Sequence, residues 1–148
     1  MEKHSNLLAL YARFFLCMSL FWHAGFNISM WNLQVAVLTH LTQSFTAPIL
    51  SATTGAEIVL GIAILIGYMT RHIACMAALY TLVNAFLMHS FWSADAGTQV
   101  NEAMNFFQSI GVAGGFLLLA AFGPGEFSAD AKLKEPAQKI EPTAETKA

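Results

Sequence analysis

A chain of 148 residues that is 56% hydrophobic and 11% charged, with a mean hydropathy of +0.55, is not built for water, because a soluble domain carries roughly 25% charged residues. The length suits one domain, and a net charge of -2 excludes the basic footprint of a nucleic-acid-binding protein. Cys17 and Cys75 each lie alone in an apolar segment. They frame neither a disulfide scaffold nor a CxxC metal or redox pair, and both read as small buried hydrophobes.

Four apolar stretches, at residues 7–28, 49–69, 72–92 and 103–122, are each long enough to cross a hydrocarbon core of about 30 Å. Backbone in lipid must satisfy its own hydrogen bonds, so the expected fold is all-α: a four-transmembrane-helix bundle. The first stretch does not read as a signal peptide. Arg13 interrupts the apolar run, which is long for that role, and no A-x-A-like site follows it. Residues 29–47 read as an outer connection. After the fourth span, Gly123-Pro124-Gly125 ends the helix, and residues 126–148, rich in Ala, Glu, Lys, Pro and Thr, read as a disordered polar tail. The membrane domain is thus residues 1–125.

All the basic residues, Lys3, Arg13, Arg71, Lys132, Lys134, Lys139 and Lys147, fall at the start, in the connection between the second and third spans, or in the tail. The other two connections have none, so the positive-inside rule places both termini in the cytoplasm. Trp22, Trp31, Phe91 and Trp92 fall near the outer ends of the first and third spans, where such rings anchor at the headgroup level.

Ionisable residues inside a span are costly and therefore candidates for function. Arg13 lies about 9 Å in from the cytoplasmic side and Glu57 about 12 Å in from the outside, so a bidentate pair between them is the expected way to remove two charges from lipid. His23 and His89 fall near the outer interface, with Asn105 and Gln108 at similar depth on the fourth span. At about 100° per residue, Arg13, Cys17, Leu20, Ala24 and Asn27 share one face of the first helix. Thr53, Glu57, Gly61 and Tyr68 share one on the second, and Cys75, Ala78, Leu82, Ala85 and His89 one on the third. Gln108, Gly111 and Gly115 give the fourth a small-xxx-small spacing for close packing.

These residues support several readings. They are a quinone or redox pocket of carboxylate, imidazole and amide; a haem or copper site of His23 and His89 with Met30, Met88 or Met104; or a purely structural set that fixes helix register. The absence of H-x-x-x-H or M-x-x-M clustering argues against metal or haem.

Ala12-Arg13 followed by Phe21 and Ala24-Gly25, then Glu57 in GAEIVLGIAILIGYMTR, then FLMHSFW and GGFLLLAAFGPGEFSAD, together span residues 12–130 in order. In this the chain resembles the DoxX family of small four-helix bacterial membrane proteins. The resemblance implies a multi-pass protein of the bacterial inner membrane serving as an accessory or quinone-interacting subunit of a redox or oxidative-stress system, with a membrane or cytoplasmic oxidoreductase as partner. Arg13, Glu57 and His89 match that family's charged residue, acid and histidine; Gln108 and His23 are further ligand-binding candidates. The chain departs from the family at Asn27 and at Gln108-Ser109, where a lysine and a Lys-Asn pair are common. Its alternative is a non-enzymatic scaffold that binds a partner protein.

Overall fold

The computed structural model describes residues 2–42 and 46–133. Among these residues five helices of 12 or more residues follow one another: α1 (Glu2–Ser29), α2 (Trp31–Thr42), α3 (Thr46–Ile66), α4 (Thr70–Met88) and α5 (Gln99–Phe122). Four of them, α1, α3, α4 and α5, are long and apolar enough to span a bilayer. The fold class is therefore the one read from the sequence. The difference lies in α2, where a connection was expected. Its 12 residues are too few to cross the membrane, yet they continue α1 almost without a break. Helical hydrogen bonds run through Met30, from Met30 N to Phe26 O (2.9 Å) and from Gln34 N to Met30 O (2.9 Å).

The spans pack as two close pairs, α1 with α3 and α4 with α5, joined more sparsely to each other. Their common core is small-residue and aliphatic, with Cys17, Leu20, Leu60, Ile64, Ala74, Ala77, Ala78, Phe116 and Leu119 buried together. Close approach is achieved at two glycines. A Cβ on Gly61 would meet the Phe21 ring at 2.7 Å, and one on Gly115 would meet Leu16 at 2.9 Å. Large apolar side chains point outward on every span: Phe15, Val59, Leu79 and Leu118 are more than 60% exposed. A surface of that kind has lipid as its natural solvent.

The predicted inward face of α1 matches the structure, with Arg13, Cys17, Leu20 and Ala24 all buried. On α4 the predicted face holds at Ala78 and Ala85 and fails at Cys75. Ala74, Ala77, Ala78 and Ala85 are buried, while Cys75 is exposed. The buried hydrophobe reading thus holds for Cys17, whose Sγ donates to Gly61 O at 3.1 Å, and not for Cys75. On α5 the buried face is Phe106, Ala113, Phe116 and Leu119, which turns Gly111 and Gln108 outward.

Helix α3 ends earlier than predicted because Gly67 takes the left-handed region (φ 78°). Tyr68 N bonds back to Ala63 O (3.0 Å) and Gly67 N to Ile64 O (3.1 Å), the double bond pattern that closes a helix at glycine. Three residues, 67–69, then suffice to start α4. At the other end of α4, His89 already has non-helical backbone (φ -115°, ψ 53°), so Ser90, Phe91 and Trp92 leave the span predicted to contain them.

The first part of the tail is docked, not free. The segment 126–133 docks at the turn between α3 and α4 and the start of α1, through bonds of Glu126 to Asn6 and of Asp130 to Gly67, Met69 and Thr70; residues 134–148, read with it as a disordered tail, lie outside the described residues.

Candidate functional site

Two buried charges organise the interior, and each finds its own set of partners. Arg13 is 1% exposed. Its guanidinium extends toward the basic end of the bundle, where Nη1 donates to Leu65 O at 3.4 Å and Nη2 donates to Phe127 O. The last carbonyls of a helix have no intrahelical donor, so Leu65 near the end of α3 is a ready acceptor. Asp130 completes this clasp. Its two carboxylate oxygens accept from Met69 N (2.7 Å) and Thr70 N (2.8 Å), capping α4 with a negative charge at the positive end of its dipole. Asp130 N in turn donates to Gly67 O at 2.9 Å, and Glu126 N donates to Asn6 Oδ1 at 3.3 Å.

Glu57, also 1% exposed, sits eight residues before Leu65 on α3, about 12 Å along the helix axis. The Arg13–Glu57 pair expected from depth is therefore not formed. A long cationic side chain low in the membrane reaches its nearest interface more readily than a carboxylate above it. Glu57 instead draws neutral donors from neighbouring helices. Tyr80 on α4 donates its hydroxyl to Oε1 at 2.7 Å, and Asn27 on α1 donates Nδ2 to Oε2 at 3.3 Å. Gln34 on α2 donates Nε2 to Asn27 Oδ1 at 3.0 Å, holding that amide in place. His23 Nδ1 lies 3.8 Å from Glu57 Oε1. Helices α1 to α4 thus converge on one carboxylate in the outer half of the bundle. The His23 side chain is 49% exposed.

His89, expected in the same pocket, belongs to a neighbouring pair. Its Nδ1 lies 2.9 Å from Glu102 Oε2 in the first turn of α5. Beside it Phe86, Phe91, Trp92, Phe106 and Phe107 form a cluster of edge-on and tilted rings, with Phe86 and Phe106 centroids 5.1 Å apart. Gln108 is elsewhere, exposed on α5 beside Phe91, Met104 and Phe107 along a shallow apolar groove of about 630 Å³. Among the described residues, no group of three or more His, Cys, Asp or Glu side chains is arranged to hold a metal ion.

Sequence reasoning missed Tyr80, Gln34, Glu102 and Asp130 as partners. Asn27 was visible on the inward face of α1 but passed over as a site residue. The retrievable signal was the principle that a buried carboxylate needs donors. Once Arg13 is excluded, the nearest inward hydroxyl and amide are the candidates.

The sequence profile of the SURF4 family matches residues 3–135. The chain belongs to the SURF4 family. It is 44% identical over 75 residues to the inner membrane protein YqjF of Escherichia coli, covering 51% of this chain and 54% of that one. To inner membrane protein YphA of the same organism it is 36% identical over 74 residues, covering 50% and 53%. A Surfeit locus protein 4 homolog of Schizosaccharomyces pombe is 35% identical over 88 residues, covering 58% of this chain and 27% of that protein. These matches span about half the length of the bacterial relatives. No solved structure matches significantly.

With its four spans and these relatives, this SURF4-family chain is a multi-pass inner-membrane protein lying in a lipid bilayer. The family match overturns the DoxX resemblance. The segments that carried the resemblance are ones any small helical bundle can share: a charge near a span end, glycines where helices touch, a Gly-Pro-Gly stop. The family-level grounds for a redox system and an oxidoreductase partner fall with it.

Proposed function

We propose that this SURF4-family protein is an accessory membrane protein whose Glu57 cluster holds the head of a lipid-soluble molecule of quinone type, in the outer half of the bilayer. One observation carries this reading. His23 is half exposed while its Nδ1 lies 3.8 Å from a carboxylate that is almost wholly buried. A polar head arriving laterally from the bilayer meets imidazole first, with the Tyr80 hydroxyl, the Asn27 amide and the Glu57 carboxylate behind it. Carbonyl and hydroxyl groups on a compact ring suit that mixture of donors and one acceptor.

A second reading, a scaffold whose polar residues fix helix register, is favoured by a separate observation. Both oxygens of Glu57 already accept a hydrogen bond. Thermal unfolding in lipid nanodiscs, with and without a short-chain quinone, separates the two. At a quinone concentration one hundred times its Kd, binding adds about 2.7 kcal/mol of stability. His23→Ala is expected to remove that gain while leaving the ligand-free melting temperature near its original value. If quinone stabilises neither protein, the scaffold reading stands and the pocket is rejected.

A further inference from the structure

The clasp at the basic end of the bundle leaves beside it a cleft of about 280 Å³, whose lining includes Asn6, Arg71, Phe122 and Glu126. From this geometry we infer that the cleft is a site for the phosphoethanolamine head of a membrane phospholipid, with Arg71 taking the phosphate and Glu126 the primary ammonium.

Position comes first. The cleft lies where α5 stops being apolar: Phe122, its last residue, is 82% exposed, and the Gly123-Pro124-Gly125 turn follows at once. Its mouth is therefore at the boundary of hydrocarbon and headgroups, in the leaflet that the basic residues assign to the cytoplasm. Phe122 in the lining suits acyl chain, and Asn6, Arg71 and Glu126 make the rest of it polar. An amphiphile is the ligand that meets both.

Charge comes next. Asp130 also borders the cleft, its two oxygens each accepting one backbone N–H, from Met69 and Thr70. The remaining charges are Arg71 and Glu126, which form no ion pair with each other or with another described residue. The Arg71 guanidinium is laid over Gly123, where an added Cβ would lie 3.5 Å from Nε, and so stands at the cleft wall. One cation beside two carboxylates on a single small cleft complements a head that carries an ammonium next to its phosphate better than a purely anionic one. A primary ammonium offers three N–H donors, for which the Glu126 carboxylate is an acceptor; a choline head has none to give.

Native mass spectrometry of the full chain, released from nanodiscs of equal phosphatidylethanolamine, phosphatidylglycerol and phosphatidylcholine, tests this directly. The wild type should retain phosphatidylethanolamine above the other two. Arg71→Gln should lower retention of both phosphatidylethanolamine and phosphatidylglycerol by about tenfold, the loss of one charge-assisted contact, and Arg71→Lys should recover most of it. Glu126→Gln should lower phosphatidylethanolamine alone. Both side chains are exposed, and an unchanged melting temperature confirms that the variants fold. Equal retention of the three lipids by the wild type, or a Glu126→Gln loss shared by phosphatidylglycerol, overturns the assignment. Displacement of the lipid by soluble phosphoethanolamine at matched concentration would make the free zwitterion the occupant and overturn the lipid reading as well.

Discussion

The two ends of this bundle bury opposite charges by opposite means. In the outer half Glu57 is met by side chains, Tyr80 and Asn27, with Gln34 behind them. At the basic end Arg13 is met by main-chain carbonyls, those of Leu65 and Phe127. Side-chain donors are specified residue by residue and can be exchanged for others without moving the fold. Main-chain acceptors exist only if the backbone takes the right path. The outer site is therefore where chemistry can vary within one architecture, whereas the clasp is inseparable from the architecture itself.

The sharpest way to break that contrast is at Gly67. Its φ of 78° disfavours a side chain, and a Cβ there would run into Arg13 and into Ser128 at 2.6 Å. Gly67→Ala should cost about 3 kcal/mol, from backbone strain together with displacement of the clasp. Denaturant or thermal unfolding in detergent micelles reads the loss, and limited proteolysis should show the segment after Gly125 cut faster. A smaller effect is expected from Tyr80→Phe, which removes one hydrogen bond to a carboxylate, about 1.5 kcal/mol. Proteolysis of that same segment should be unaltered, because the outer cluster can lose a donor without moving the clasp. Smallest of all is the departure from additivity. The two sites share no partner, so the Gly67→Ala/Tyr80→Phe double variant should equal the sum of the singles to within about 0.5 kcal/mol. A larger coupling would show the ends to be one cooperative unit.

What could be read from the sequence divides along the same line. The spans are legible because about 20 apolar residues in a row have one solution in a bilayer, and the inward face of α1 is legible because Arg13, Cys17, Leu20 and Ala24 repeat at helical spacing. Glu57 stands out by its cost in lipid alone. Its partners do not, because depth along an axis says how high a residue sits and nothing about which helices are neighbours. The Arg13–Glu57 pairing failed for that reason, and also because depth arithmetic ignores how far an arginine reaches. Helix α2 was hidden in a segment too short to span and without charges to mark it as loop. The docking of Ser128 and Asp130 was obscured by the polar, proline-containing sequence that continues beyond them, whose composition on its own reads as disorder. Family membership was the least legible property, since the motifs that carried the mistaken resemblance are requirements of helix packing and termination.

Of the two carbonyl partners of Arg13, Phe127 lies 114 residues downstream of it. At ribosomal speeds the arginine is made on the order of ten seconds before Phe127 exists, and for that interval it belongs to a span with a charge that costs about 2.5–3.5 kcal/mol to hold at the membrane centre. A nascent first helix should therefore ride low, with Arg13 among the inner headgroups, until the last span has entered. When the Phe127 carbonyl and Asp130 arrive, the arginine is enclosed and the helix settles to its final depth. The bundle is closed by a segment made after all four spans, so a ribosome that stops short of that segment leaves the first span unlatched.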